Sequence, residues 1–222
     1  MSSEFILPRV GTKDNPVRLA VFISGGGSGL KSLIEYQKTP RVHITSIVIS
    51  EKRNAGGLKI AEKNEILRFH VPLPTISDKT EMRLEHEKQI QQILENENIE
   101  LIVLSGYMRI ISPWLISKWK GRIVNIHPSL LPNFPGAHAH RDVLAAGSNI
   151  SGCTVHLVDE GVDTGPILGQ SRVDVHPDDS IKSLQDRVKI EEHKLYPKIL
   201  DKICSGFYFN LNQKIDSHFS EV

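Results

Sequence analysis

The sequence predicts an α/β fold in which a mostly parallel, twisted sheet is covered by helices on both faces. Short apolar runs rich in β-branched residues alternate along the chain with longer segments of helical spacing, which is the order of a parallel sheet with crossover helices. The first apolar run also ends in a glycine-rich stretch that leads directly into a helix, as in many α/β ligand sites. The chain's 222 residues suffice for one largish domain with a sizeable core.

The composition narrows the class of protein. Hydrophobic residues make up 39% and charged residues 24% of the chain, as in ordinary globular enzymes, and a formal charge of +1 argues against a nucleic-acid partner. The two cysteines, Cys153 and Cys204, are too few for a disulfide framework and indicate a reducing, cytoplasmic location. No apolar run approaches the roughly 20 residues that span a bilayer, so we expect no membrane partner.

Three regions are predicted along the chain. Residues 1–16 contain Pro, Gly and Asp and are expected to form a flexible leader. Residues 17–205 are expected to form a single domain, and residues 206–222 a weakly patterned C-terminal tail.

The first part of the domain holds three predicted strands. The apolar run 17–23 is the first strand, and residues 30–37, after its glycines, have helical spacing. The run 42–50 is a second strand, because β-branched residues dominate it and a charged stretch ends it. Residues 55–64 have helical spacing, and residues 68–71 form a short strand that nearby prolines stop.

The middle of the domain begins with a polar helix. Residues 79–97 are predicted to form a solvent-facing helix, because charged residues cover most of it and a few apolar ones are spaced along one side. Residues 101–104 form a buried strand, and a helix begins near Ser112 because Pro113 suits a first turn. Residues 122–126 form the next short buried strand.

The last part of the domain completes the alternation. Residues 140–146 are predicted to be helical, and residues 152–158 and 166–173 to be strands. Residues 180–203 have the spacing of a long helix that Ser180 caps.

The glycine-rich stretch after the first strand favours an anion. Its glycines let backbone N–H groups converge on a phosphate, with the dipole of the next helix behind them. The dinucleotide pattern G-x-G-x-x-G and the Walker A pattern both fail by one position, at Leu30. A tight turn that merely joins strand to helix is the alternative.

The stretch 121–165 carries the residues best suited to catalysis. Asn125 lies near a predicted strand end, His127 follows it, and Asp163 lies in a loop between two glycines. An imidazole can carry protons near neutral pH, an amide NH₂ can donate to an oxyanion, and a carboxylate can orient the imidazole. Neither G-x-S-x-G nor a suitably placed cysteine stands nearby, so direct attack by a bound amine fits better than an acyl-enzyme.

Other interpretations of these side chains stay open at this point. His127 alone could be a structural hydrogen-bonding residue, and Asp163 a turn aspartate with two acids before it as competitors. The imidazoles of His127, His138 and His140 could instead bind zinc with a carboxylate. The Pro-Gly pair before the last two and the helix after them argue against one shared face, so we expect no metal.

Three motifs, NIHPSLLP, FPGAHAHRD and GCTVHLVDEGVDTGPIL, resemble the folate-dependent formyltransferases, and among them the branch that acts on phosphoribosylglycinamide (GAR) in purine synthesis. The match runs from about Val17 to about Tyr196. The resemblance implies the Rossmann-like formyltransferase fold. It also implies transfer of the formyl group of N10-formyltetrahydrofolate to the amine of GAR, by direct attack and a tetrahedral intermediate. It implies no metal, small-molecule partners and a monomer or homodimer.

The resemblance also implies the site residues. The catalytic residues would be Asn125, His127 and Asp163, because the spacing in the family selects Asp163 over the acids before it. The formyl-folate site would comprise Met108, Arg109, Ile110, Ile111, Asn125, Val158, Asp159, Glu160, Gly161, Val162 and Asp163, with Lys79 as the one basic residue available for the folate tail. The substrate site would comprise Gly27, Ser28 and Gly29 at the ribose phosphate, with Arg109, Pro128 and Glu192; Glu191 is the alternative to Glu192.

In this interpretation, Asp163 bonds to His127 and raises its pKa, and protonated His127 joins Asn125 in stabilising the oxyanion. Within the family, an initiator tRNA or an amino sugar is the rival acceptor, although a tRNA enzyme usually carries an extra basic C-terminal domain. A hydrolase that releases formate from formyl-folate shares such a site. From a different class, an inactive folate- or nucleotide-binding module is the remaining alternative.

Overall fold

A seven-stranded sheet forms the centre of the chain. The computed structural model describes residues 6–207. The order across the sheet is β3-β2-β1-β4-β5-β6-β7, in which the first five strands are parallel and the last two continue antiparallel. The predicted mostly parallel α/β class is confirmed. The strands are β1 (Val17–Phe22), β2 (His43–Ser50), β3 (Leu67–His70), β4 (Leu101–Leu104), β5 (Ile123–His127), β6 (Ile150–Leu157) and β7 (Ile167–Asp174).

The helices of the described chain lie where helical spacing predicts them, with small differences at their ends. Ser112 and Ser180 cap the fourth and the sixth through their hydroxyl oxygens, as the sequence predicts for Ser180. None of the helices within residues 6–207 is both long and apolar enough to cross a bilayer. The helices are α1 (Ser28–Tyr36), α2 (Gly56–Lys63), α3 (Lys79–Asn96), α4 (Pro113–Lys118), α5 (Ala139–Ala145) and α6 (Ile181–Cys204).

The sheet buries one large apolar cluster on each face. Leu19 and Val21 of β1 pack into the cluster that α1, α2 and α6 cover. Ala20 and Phe22 pack into the cluster that α3 and α4 cover. Successive side chains of a strand point to opposite faces, so this central strand supplies both clusters and holds the two helix layers together.

The carboxyl ends of three neighbouring strands meet at one edge of the sheet. The β1–β4 register pairs Phe22 with Leu104, and the β4–β5 register pairs Leu104 with Asn125. The glycine stretch after β1, the segment 105–112 after β4 and the loop after β5 therefore come together. This edge is where open α/β sheets bind their ligands.

Residues 6–16, which the sequence assigns to a leader, lie against the domain. The Gly11 N–H donates to the Cys204 carbonyl oxygen at 2.7 Å, which ties this segment to the end of α6. The rest of the predicted leader, residues 1–5, and residues 208–222 of the predicted tail 206–222 lie outside the described residues. The division into leader, domain and tail stays a prediction.

Candidate active site

Asn125, His127 and Asp163 come together at the carboxyl end of β5. The first two lie on β5 itself, and Asp163 lies in the loop between β6 and β7. His127 Nδ1 is 3.2 Å from Asp163 Oδ2. Asn125 reaches the same carboxylate through His156, whose Nε2 is 3.2 Å from Asn125 Nδ2 and 3.5 Å from Asp163 Oδ1. The structure therefore groups the three side chains that the sequence predicts to be catalytic and adds a fourth.

His127 is held at both ring nitrogens. It is 4% exposed, and its Nε2 lies 2.9 Å from the Phe134 carbonyl oxygen, which can only accept a hydrogen bond. Nε2 therefore carries a proton, and Nδ1, which faces Asp163, is the atom that can gain or lose one. Burial lowers the pKa of His127; the Phe134 carbonyl and the Asp163 charge raise it without restoring its usual value. Asp163 raises the pKa of His127 as expected, but the expectation that the protonated form is favoured is wrong, because burial outweighs the carboxylate.

The position of Asp163 is set by its backbone as well as by its partners. Its φ of 56° lies in the left-handed region, which aspartate tolerates better than most residues. Its Oδ2 accepts a hydrogen bond from the Gly136 N–H at 2.8 Å. Burial alone would raise the pKa of Asp163, but its interactions with the His156 ring, the Gly136 N–H and the His127 ring outweigh burial, and the net pKa is lowered. Asp163 is therefore a carboxylate at neutral pH.

His156, which the sequence analysis did not select, orients the Asn125 amide. Antiparallel pairing of β5 with β6 places the two residues opposite each other. His156 Nδ1 is 2.9 Å from the Leu157 carbonyl oxygen and so carries the ring proton, which leaves Nε2 to accept from the Asn125 NH₂. One amide proton is thereby engaged and the other is left for a bound oxygen. The sequence signal was a polar side chain inside the apolar run 152–158, but only strand pairing shows what it faces.

Two neighbouring cavities flank this group of side chains. The smaller has a volume of about 140 Å³ and is bordered by Asn125 and Asp163, by the segment after β4 and by the loop after β6. The larger has a volume of about 430 Å³ and is bordered by the glycine stretch, by α6, and by Ile126 and Pro128. His127 lines neither cavity. Because its chain neighbours line the larger cavity and its partner Asp163 lines the smaller, His127 lies at the boundary between the two.

Most residues predicted for the formyl-folate site border the smaller cavity. Met108 borders the larger one instead. Lys79, the first residue of α3, and Glu160, exposed in its loop, border neither of the two. The roles of all these residues in binding stay predictions. Those that border the smaller cavity are Arg109, Ile110, Ile111, Asn125, Val158, Asp159, Gly161, Val162 and Asp163.

The residues predicted for the second substrate lie around the larger cavity, except Arg109, which borders the smaller one. The alternative residue Glu191 instead accepts hydrogen bonds from Ser171 at 3.0 Å and from Lys194 at 2.7 Å, and it does not border the cavity. Of the two adjacent glutamates, Glu192 is therefore the one that borders the larger cavity. The residues that border it are Gly27, Ser28, Gly29, Pro128 and Glu192.

The larger cavity also has basic residues that the sequence analysis did not assign. Lys52 follows β2, His140 lies on α5, and Lys189 and His193 lie on α6. They come from distant parts of the chain, so no local pattern joins them. Burial raises the pKa of Glu192 to about 7, with Lys189 opposing it.

The histidines of this cavity are neutral at neutral pH. Burial lowers the pKa of His140 and of His193, and the Lys189 charge lowers both further. His140 Nδ1 has no hydrogen-bond partner, so it can serve a ligand. Within residues 6–207, no group of three or more His, Cys, Asp and Glu side chains is arranged to hold a metal ion.

Comparison with known proteins identifies relatives over most of the chain. The formyl transferase family profile matches residues 17–200. The chain is 41% identical to the trifunctional purine biosynthetic protein adenosine-3 of Chironomus tentans over 91% of its length, and 42% identical to the Homo sapiens protein over 85%. It spans only 15% and 18% of those two longer proteins.

The chain covers nearly the full length of the solved structures that it matches. The phosphoribosylglycinamide formyltransferase of Bacillus halodurans is 36% identical, with a TM-score of 0.80 over 89% of this chain and 100% of that one. The enzyme of the same name from Brucella melitensis is 42% identical, with a TM-score of 0.79 over 86% and 97%. The resemblance inferred from the three motifs is confirmed, and the chain belongs to the formyl transferase family.

Proposed function

We propose that this chain transfers the formyl group of N10-formyltetrahydrofolate to the amine of GAR in purine biosynthesis. The observation that carries the proposal is the position of Asn125, His127 and Asp163 between two neighbouring cavities, one lined by Asn125 and Asp163 and the other by Ile126 and Pro128. Two substrates in neighbouring cavities can react directly only where those cavities adjoin, and the side chains suited to the chemistry lie between them. The solved relatives named phosphoribosylglycinamide formyltransferase support the same assignment.

The larger cavity suits a phosphorylated substrate. At one side the glycine stretch opens α1, so backbone N–H groups and the positive end of the helix dipole favour an anion. Lys52 and Lys189 add positive charge at the border of the same space. The GAR phosphate would lie at the glycines, and its amine would extend past Pro128 towards Asn125.

The smaller cavity suits a flat, polar ring. The side chains of Ile110, Ile111 and Val162 supply an apolar border, and the segment after β4 supplies backbone groups. The pterin ring of the cosubstrate would occupy this space, which would place the formyl group beside Asn125 and Asp163.

In the proposed reaction, the GAR nitrogen attacks the formyl carbon and the carbonyl oxygen becomes an oxyanion. The free N–H of Asn125, oriented by His156, donates to that oxygen. The carbon–N10 bond then breaks, the formyl group remains on the GAR nitrogen, and the tetrahydrofolate nitrogen takes a proton. The amine must lose a proton in the same sequence, so the reaction needs one proton moved from one nitrogen to the other.

The pair of His127 and Asp163 is the proposed carrier of that proton. Because Nε2 of His127 already holds a proton against Phe134, a second proton would enter at Nδ1, where the Asp163 carboxylate 3.2 Å away stabilises the charged ring. Both ring nitrogens are then engaged, so direct donation to the oxyanion falls to Asn125. The lowered pKa of His127 fits this role, because a neutral ring can accept the proton.

A formyl-transfer assay with a stable formyl-deazafolate analogue tests the proposal. Release of the deformylated folate that depends on GAR is the expected result. Asn125→Ala should lower turnover on the order of 10²-fold, whereas the control Asn149→Ala, an exposed position away from both cavities, should not. Release without an acceptor would identify a hydrolase instead. Transfer to a different amine, or no release at all, would also refute the proposal.

The two cysteines bear on where this reaction would take place. Cys153 and Cys204 are both buried free thiols, and burial raises the pKa of each well above its usual value. Unpaired thiols and a purine-synthesis reaction together support the proposal that the chain works in the cytoplasm.

A further inference from the structure

The segment 105–112 borders both cavities, and different elements hold its two ends. Near its start, the Ser24 N–H donates to the Gly106 carbonyl oxygen at 3.0 Å, and the Met108 N–H donates to Ser24 Oγ at 2.8 Å. Its end at Ser112 is bound from the opposite side, by Glu87 of α3. The backbone of residues 109–111 is therefore held by hydrogen bonds on both sides, at Met108 and at Ser112.

Glu87 differs from the other acidic residues of its helix. The charge pattern of α3 predicts a solvated face, and the nearby Glu85 side chain is indeed 44% exposed. Glu87 is only 2% exposed, which makes it the one fully buried carboxylic acid in the described part of the chain. Burying a carboxyl group is unfavourable unless hydrogen-bond donors compensate it, so this position calls for a specific reason.

Both donors to Glu87 come from a single residue. Glu87 Oε1 accepts from the Ser112 N–H at 2.7 Å, and Oε2 accepts from the Ser112 hydroxyl. The same hydroxyl oxygen accepts from the Leu115 N–H at 3.4 Å and caps α4. One two-point contact thus sets the end of the segment and the start of the next helix.

We propose that Glu87 is a positioning residue for the formyl-folate side of the site. Glu87 lies on α3 and fixes the position of Ser112. It thereby holds the backbone of residues 109–111 in the conformation that borders the smaller cavity. Glu87 borders neither of the two cavities and touches no reacting atom, so it acts on the geometry of binding. This inference rests on the proposed function, because it takes the smaller cavity to be the site of the pterin ring.

The test compares Glu87→Gln with the control Glu85→Gln on the same helix. Glutamine keeps the size of the side chain and one acceptor oxygen, but it presents a donor where the Ser112 hydroxyl now finds an acceptor. Binding of the formyl-deazafolate analogue and of GAR is measured separately by calorimetry, so no turnover is needed. We expect Glu87→Gln to weaken binding of the folate analogue about tenfold and to leave GAR affinity within about twofold. Glu85→Gln should change neither.

The variants Ser112→Ala and Glu87→Gln/Ser112→Ala show whether the effect passes through this contact. The double variant should lose little more folate affinity than Glu87→Gln alone, because both changes break one interaction. Additive losses, equal losses of both affinities, or a lower unfolding temperature with folate affinity retained would each overturn the proposal. Failure of the proposed function can be told apart from failure of this inference. In that case the unmodified chain itself would fail to bind the two ligands, or would fail to transfer the formyl group.

Discussion

Replacing Glu192 with Gln should stabilise the folded chain at neutral and alkaline pH. Burial raises the pKa of Glu192 from its usual value of 4.5 to about 7, with Lys189 opposing. A group whose pKa is raised on folding contributes stability that is fully present below its unfolded pKa and is lost as the pH rises through the folded pKa. Each tenfold change in proton affinity is about 1.4 kcal/mol, so ionised Glu192 destabilises the folded chain by up to about 3 kcal/mol.

Glutamine has the same size and stays neutral at every pH. The free energy of unfolding of Glu192→Gln should therefore exceed that of the unmodified chain by about 1 kcal/mol near pH 5 and by about 3 kcal/mol near pH 8. Urea unfolding followed by the fluorescence of Trp114 and the buried Trp119 measures this difference.

Glu191→Gln is the matched control on the neighbouring residue. The Lys194 ammonium, and then the Ser171 hydroxyl, lower the pKa of Glu191, while burial opposes them. The stability that ionised Glu191 contributes is present above its unfolded pKa and is lost only as the pH falls through its lowered folded pKa. Glu191→Gln should therefore have the same small effect on the free energy of unfolding from about pH 5 to about pH 8. A Glu192→Gln difference that stays constant between about pH 5 and about pH 8 would refute the reasoning.

Three further predictions follow from single contacts. Asp163→Asn should lower kcat by roughly 10²-fold or more in the formyl-transfer assay, because the carboxylate can no longer stabilise a protonated ring, and turnover near that of the unmodified chain would contradict the role. Gly27→Ala should cost about 1–3 kcal/mol of unfolding free energy, since Gly27 has a φ of 76° and a Cβ would lie 2.6 Å from Gly57 Cα. Gly26→Ala, where a Cβ meets open space, is its control, and equal urea midpoints for the two would count against the argument. Tyr196→Phe should cost about 1–3 kcal/mol, because the hydroxyl lies 2.9 and 3.0 Å from two strand carbonyls, and an unchanged midpoint would rule out that contribution.

The elements of this fold were predictable because their signals are local. Apolar runs such as 101–104 are too short for helices, and the glycines and prolines that bound them stop each element where the structure does. Ser180 caps α6 as predicted, since a cap depends on residues within one turn. Asn125 and His127 could be placed at a strand end for the same reason.

The larger part of the site depended on partners far apart in sequence. Antiparallel pairing of β5 with β6 places His156 beside Asn125, and nothing in either strand alone specifies that register. Lys52 and Lys189 share one cavity although more than half the chain separates them. Lys79 shows that a sequence position can also mislead. It was the one basic residue available for the folate tail, yet it borders neither of the two cavities.

The sequence by itself determined the fold class, the order of elements and the motifs that mark the formyl transferase family, because these depend on periodicity and on neighbouring residues. Tertiary structure decided the protonation of the site and the role of Glu87. Burial lowers the pKa of His127 against the pull of Asp163, and burial turns Glu87 from one of many helix charges into a bound partner of Ser112. The burial of a residue depends on all the elements that pack around it, so a local sequence pattern cannot predict it.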